Sequence, residues 1–171
     1  GPFTSNTSIE TVVVPEDVST IGARAFYGCT KLTTVYLPSS LLGISYGAFY
    51  NCTSLKNVYW LIEDALQWND KTGEYNVPFE EWKEGVHYTR NCTAVSLSIG
   101  SDAFGYCTAL KSIDLSKTFA IYSSAFWNAT ALEFADISNA RYMGSSAFRF
   151  CSALKSVKTS VYTAYAKNMF N

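Results

Sequence analysis

An apolar signature returns along the chain at a nearly constant interval. Ile21-Gly22-Ala23-Arg24-Ala25-Phe26 reappears as Ile44-Ser45-Tyr46-Gly47-Ala48-Phe49, as Ile99-Gly100-Ser101-Asp102-Ala103-Phe104 and as Ile121-Tyr122-Ser123-Ser124-Ala125-Phe126. Met143-Gly144-Ser145-Ser146-Ala147-Phe148 is a fifth copy, and Tyr165 to Phe170 is a weaker sixth. Phe26 to Phe49 is 23 residues, and Phe104, Phe126, Phe148 and Phe170 follow at steps of 22. A second block keeps a fixed offset from the first: Cys29-Thr30-Lys31-Leu32, Cys52-Thr53-Ser54-Leu55, Cys107-Thr108-Ala109-Leu110, Ala129-Thr130-Ala131-Leu132 and Cys151-Ser152-Ala153-Leu154. After each Leu the chain alternates, as in Leu32-x-x-Val35-x-Leu37-Pro38, the period-2 mark of a strand with one buried face. This predicts parallel strands over 33–37, 56–60, 111–115, 134–137 and 155–159. One unit cannot bury its apolar face alone, so units stack, with strands ~4.8 Å apart. The recurring Phe then fills the interior on the opposite, non-strand side, where burial is worth roughly 1.5–3 kcal/mol per ring.

A period of 22–23 residues with L-x-x-V-x-L lies in the range of leucine-rich repeats. The expected fold is an α/β-type repeat solenoid with short parallel strands on one face, about five to six repeats and one inserted segment. The unit I-G-x-x-A-F-x-x-C-x-x-L-x-x-V-x-L-P resembles the BspA-like, or Treponema pallidum type, leucine-rich repeat family, over about four fifths of the chain. That resemblance implies a surface or secreted protein of a bacterium or protozoan. It also implies an adhesin-like role toward host matrix proteins such as fibronectin or fibrinogen, or toward another cell surface. Repeats specify a scaffold rather than a ligand, so the function must be argued from a site.

The spacing breaks once. Phe49 to Phe104 spans 55 residues, that is 23 plus 32, which places a non-repeat insertion at about 61–95 in a single solenoid of residues 3–171. Gly1-Pro2 reads as the remnant of a cleaved tag. Residues 61–90 hold seven acids (Glu63, Asp64, Asp70, Glu74, Glu80, Glu81, Glu84) against Lys71, Lys83 and Arg90, a balance of -4. Trp68, Trp82 and the single histidine, His87, lie there too. Short helices are expected over 61–68 and from Pro78 through Lys83, with a turn at 69–73. Asn91-Cys92-Thr93-Ala94-Val95 reads as the relic of a decayed repeat.

Composition narrows the function. Of 171 residues, 48% are hydrophobic and 16% charged, with a net charge of -1, so a real core is available and no basic footprint for nucleic acid is present. No apolar run reaches the ~18–20 residues of a membrane span. Catalysis by acid–base or nucleophilic chemistry needs a His or paired carboxylates held in a pocket. Here Glu84-Gly85-Val86-His87 gives one E-x-x-H spacing, which Gly85 keeps from being a sound helix. Phosphate-binding loops, dinucleotide fingerprints and C-x-x-C pairs are absent, so no catalytic residue, metal or cofactor is expected, and no enzyme. Four of the five cysteines share one repeat position with Ala129, which predicts a ladder of small buried thiols; Cys29–Cys52 is the pair that stacking brings within disulfide range.

The candidate sites are two. On the strand face, the outward positions give Tyr36, Tyr59, Asp114, Phe134, Asp136 and Lys158 as ligand-binding residues. In the insertion, Trp68, Trp82 and His87 combine aromatics with acids, a mixture suited to a basic or sugar-like surface. The partner is expected to be a protein or a glycan, such as a host matrix protein, with localisation at the cell surface or outside the cell. The alternative is a structural or assembly module whose ends or faces self-associate, since the chain stops one residue after Phe170 and unpaired strand edges invite association.

Overall fold

The computed structural model of the chain describes residues 1–61, 67–69, 74–76, 96–159 and 164–165. Thirteen short strands run through these residues. Eleven of them stack as successive turns of a solenoid, each turn crossing two sets of parallel strands.

The first sheet is the expected one. It holds β1 (Thr11–Val13), β3 (Thr34–Leu37) and β5 (Asn57–Trp60) in the order β1-β3-β5, and continues as the pair β10 (Phe134–Asp136) and β12 (Ser156–Lys158). Register follows the repeat: Val35 pairs with Val12 and Val58, and Tyr36 pairs with Val13 and Tyr59. Val35, Leu37, Val58 and Ala135 are buried, while Thr34, Tyr36, Asn57 and Tyr59 stand on the outer face, as period-2 alternation dictates. One strand departs from the expectation. Residues 111–115 form no strand, although Ile113 and Leu115 keep their inward places. Here the Asp114 carboxylate accepts the N–H of Ser116, and the Asp114 carbonyl accepts the indole N–H of Trp60. A local side-chain turn has replaced ladder bonds.

The second sheet was not foreseen. It has six strands in the order β13-β11-β9-β8-β4-β2: β2 (Thr20–Ile21), β4 (Gly43–Ile44), β8 (Leu97–Ile99), β9 (Thr118–Ile121), β11 (Tyr142–Met143) and β13 (Ala164–Tyr165). The Ile that opens each copy lies in these strands, so Ile21, Ile44, Ile99, Ile121 and Met143 form a buried row.

Between the sheets the chain turns without a helix, so the α/β description is corrected to an all-β, parallel-strand solenoid of about five turns. No helix occurs among the described residues. The reason lies in the backbone. Cys29 N–H bonds the Phe26 carbonyl and Leu32 N–H bonds that of Cys29, closing three-residue turns instead of four-residue ones. The residues two before and two after each Phe hold positive φ: Arg24 and Gly28, Gly47 and Asn51, Asp102 and Tyr106, Ser124 and Asn128, Ser146 and Phe150. A left-handed residue on either side of the Phe stops helix propagation. It frees the N–H groups to reach the next turn: Phe26 donates to Ala48, Phe49 to Ala103, Phe104 to Ala125 and Phe126 to Ala147, at 2.7–2.8 Å.

The Phe rings form a stacked column with centroids 5.2–5.3 Å apart, from Phe3 through Phe148. Beside it runs the thiol ladder. Cys29, Cys52, Cys107 and Cys151 are free and buried. Each S–H reaches the carbonyl of a Phe in the turn below, as in Cys52 Sγ to Phe26 O at 3.1 Å and Cys107 Sγ to Phe49 O at 3.2 Å. Burial pushes the Cys52 thiol up to about 12 and that of Cys151 to about 11.

The inserted stretch adds a separate antiparallel pair, β6 (Gln67–Asn69) with β7 (Glu74–Asn76), placing Trp68 opposite Tyr75. The helix expected over 61–68 is corrected at its end, where residues 67–69 find backbone partners in a strand. The helix from Pro78, the relic at 91–95, Trp82 and His87 lie outside the described residues.

Candidate binding surface

The strand face carries two unlike halves. In the first half Val13, Tyr36 and Tyr59 stand in register across β1, β3 and β5, with the two tyrosine rings 5.4 Å apart and tilted by 40°. Behind them Thr11, Thr34 and Asn57 form a polar row, Asn57 Nδ2 donating to Thr34 Oγ1 at 3.4 Å. Burial raises the Tyr59 phenol above its ordinary range, so it remains a neutral donor. This row is uncharged and aromatic.

The second half is ionic. Asp136 and Lys158 pair across β10 and β12, with Lys158 Nζ 2.9 Å from Asp136 Oδ2. Burial pushes the Asp136 carboxyl upward, but the hydrogen bonds from Ser138 and Lys158 outweigh it and hold the group below the usual carboxylate range. Phe134 stands half-buried opposite Ser156. Glu133 and Lys155 make a second, more exposed pair at 2.7 Å.

Asp114 divides the halves and is corrected from an exposed ligand to a buried group. It occupies the outward position yet is only 7% exposed. Asp114 and Asp136 make the same turn, each accepting the N–H of the serine two residues on. Their fates then differ. Asp136 has Lys158 one turn above, whereas the residue one turn above Asp114 is Asp136 itself. Asp114 Oδ2 and Ser116 Oγ are left buried with no hydrogen-bond partner.

Of the sequence-predicted residues, Tyr36 and Tyr59 come together, and so do Asp136 and Lys158. Trp68 lies on the hairpin strand, and no described geometry joins it to the strand face. The repeat pattern also missed a row of rings on the turns: Tyr27, Tyr50, Tyr106 and Trp127 follow one another at 5.1–5.9 Å. The signal was available, since Tyr27, Tyr50 and Trp127 each follow a ladder Phe directly. Arg24 closes that row, its guanidinium 5.7 Å from the Tyr27 centroid and 5.2 Å from Tyr46. No cluster of three or more His, Cys, Asp or Glu side chains able to hold a metal, and no helix long and apolar enough to cross a membrane, occurs among the described residues.

The model of the BspA-type leucine-rich repeat region matches residues 2–67 and 89–171 in six copies. The chain belongs to this family. Solved structures agree. A leucine-rich cell surface protein of Faecalibacterium prausnitzii superposes with a TM-score of 0.65 at 24% identity, over 91% of this chain and 33% of its own. The leucine-rich repeat protein of Treponema pallidum gives 0.62 at 25% identity, over 86% of this chain and 57% of its own. One from Bacteroides ovatus gives 0.58 at 27%, over 86% and 33%. The chain therefore spans from a third to just over half of these proteins. No curated protein matches it. As a member of a repeat family found in bacterial surface proteins, the chain has the build of a protein-binding module.

Proposed function

We propose that this BspA-type solenoid is a non-enzymatic, adhesin-like module of a cell-surface or secreted protein, and that it recognises a host matrix protein or another cell surface. The single observation that carries the reading is the uncharged Val13–Tyr36–Tyr59 row, set in register on a rigid three-stranded sheet. Tyrosines on a fixed scaffold give large contact area with little conformational entropy to lose. The adjoining Asp136–Lys158 pair supplies polar contacts at the rim, where charges set orientation more than affinity. The insertion, with Trp68, Trp82 and His87, is the competing element for the same role.

Three proteins decide between them: the native chain, a Tyr36→Ser/Tyr59→Ser variant and a deletion of residues 62–90. Each is tested for retention on immobilised fibronectin and fibrinogen and on a glycan array. The reading expects the double variant to lose most of the retention on one of the matrix proteins while the deletion keeps it. Loss confined to the deletion would move the site to the insertion, and retention on glycans alone would contradict a protein partner.

A further inference from the structure

Among the described residues, tyrosine rings meet across neighbouring turns in four pairs. Tyr27 faces Tyr50 at 5.1 Å between centroids, Tyr36 faces Tyr59 at 5.4 Å, Tyr50 faces Tyr106 at 5.4 Å, and Tyr122 faces Tyr142 at 5.2 Å. The residues of the first three pairs are half-buried. Burial also raises the phenols of Tyr50 and Tyr59 above their ordinary range, so these groups give up a proton less readily. The fourth pair is different. Tyr122 is 45% exposed and Tyr142 47%, so both rings are in contact with each other and open to a reagent in solution.

The backbone fixes this contact from both sides. Tyr142 pairs with Ala120 and Met143 with Ile121, which sets Tyr122 on the diagonal from Tyr142, where long side chains of adjacent strands reach one another. Tyr122 N–H bonds the Ile99 carbonyl at 2.8 Å, and Gly144 N–H bonds that of Ile121 at 2.7 Å. Gly144 lets the two turns close up at this point, since a Cβ there would fall 2.6 Å from the Tyr122 carbonyl carbon. The fold itself calls for neither ring. In register with Tyr142 stand Thr20, Gly43, Ser98 and Ala120. The repeat position of Tyr122 is held by Gly22, Ser45, Gly100 and Gly144 in the other copies. Small residues therefore suffice at both places.

We propose that Tyr122 and Tyr142 are an oxidative cross-linking site, joined as dityrosine by a haem peroxidase with hydrogen peroxide, and that the bond staples two turns of the solenoid together. Each phenol gives up one electron and its proton to the oxidised peroxidase. The two phenoxyl radicals couple through a ring carbon ortho to each oxygen, forming one carbon–carbon bond. The hydrogens displaced from those two carbons return to the oxygens and restore both phenols. The peroxide takes up the two electrons and two protons and leaves as water. Two rings already in contact need only a side-chain adjustment for this step, and no backbone bond is broken. As with a disulfide, a covalent tie restricts the unfolded chain and favours the fold. The inference uses no part of the strand-face reading, so the two stand or fall separately.

The test treats the full dilute chain with a haem peroxidase and limiting hydrogen peroxide, then reads dityrosine fluorescence and mass. The intact chain is expected to gain the fluorescence, to lose the mass of two hydrogen atoms and to melt higher than before. Trypsin cuts after Lys117, Arg141 and Arg149, so Tyr122 and Tyr142 are the lone tyrosines of two separate peptides, 118–141 and 142–149. After oxidation these two peptides should remain joined as the main cross-linked product. Tyr122→Phe and Tyr142→Phe keep the ring and lose the phenol. Each should melt as the native protein does, yield none of the joined pair and gain no stability from peroxide. Tyr36→Phe/Tyr59→Phe should still give it. A main cross-link at Tyr27–Tyr50 or Tyr36–Tyr59, links only between separate chains, no dityrosine at all, or an undiminished product in either single variant would each overturn the proposal.

Discussion

Two residues of each turn from Phe26 to Phe148 hold positive φ, and only Gly28 and Gly47 among these ten are glycines. For any other residue that conformation costs roughly 1 kcal/mol or more, and most for β-branched side chains. Ser124, at φ 58° in a central turn, tests the point. Ser124→Val should lower stability by about 1–2 kcal/mol, whereas Ser124→Gly, which removes the Cβ cost, should leave it unchanged or raise it by up to about 1 kcal/mol in denaturant melts. The same geometry explains Asn51 and Asn128, at φ 61° and 59°, since Asn tolerates the left-handed region. The glycosylation-type triplets Asn51-Cys52-Thr53 and Asn128-Ala129-Thr130 therefore follow from turn chemistry plus the adjoining Cys/Ala-Thr block. The thiols give a second residue-level expectation. With Cys92 replaced by Ser, the four ladder cysteines should resist an aromatic disulfide reagent in the native state and react on unfolding. Burial raises their folded pKa values, so the stability this contributes is complete below the unfolded value of about 8.5 and is lost as pH rises toward 11 and 12. Melts should therefore shift downward above about pH 9. Asp114 gives a third. Asp114→Asn keeps the oxygen that accepts Ser116 N–H and removes a buried, unpartnered carboxylate oxygen, so it should stabilise the fold by about 1–2 kcal/mol.

At the level of elements, each turn is a strand, a corner, a second strand and a run of tight turns. The first strand was legible because Leu32-x-x-Val35-x-Leu37 alternates over six residues. The second was not, because β2, β4 and β11 are two residues long and show no alternation. Their signal is instead an Ile or Met at one repeat position (Ile21, Ile44, Met143), followed by Gly or Ser. At Gly144 a Cβ would fall 2.3 Å from Ser123 N, so close stacking of turns demands the glycine there. The strand at 111–115 was predicted from pattern alone and fails because Asp114 competes for its backbone. Asp114 was read as exposed from its place in the alternation, and alternation reports direction, not depth. Phe3 and Thr11–Val13 were readable, since each lies 23 residues before its partner, Phe26 or Thr34–Tyr36. The Phe column is the strongest element-level claim. Phe104→Ala, between Phe49 and Phe126, should cost about 3–5 kcal/mol by urea denaturation, whereas the same change at Phe3, 44% exposed, should cost clearly less.

For the whole molecule, the question is whether the insertion divides the solenoid or merely decorates it. Among the described residues the strand face is interrupted at 111–115, one turn after β5. The six-stranded sheet is not, for β4 pairs with β8 directly. The turns are not either: Gly47, Phe49 and Asn51 donate to Ser101, Ala103 and Gly105 at 2.8–2.9 Å, as Arg24, Phe26 and Gly28 do to the turn above them. A display face needs one rigid stack, and these bonds are what join its two parts. Loop closure grows only with the logarithm of length. Deleting 62–90 should therefore leave a cooperative fold, with a loss of about 1–3 kcal/mol if its tryptophans cover the flank. Amide hydrogen exchange at Gly47, Phe49 and Asn51 is the most direct test of this continuity. The account predicts protection equal to that of the Phe26, Phe104 and Phe126 amides, which bond the carbonyls of Ala48, Ala125 and Ala147, with Phe49 exchanging as slowly as Phe104. Exchange of the Gly47, Phe49 and Asn51 amides at the rate of an open chain, with Phe104 still protected, would show two separate stacks and contradict it.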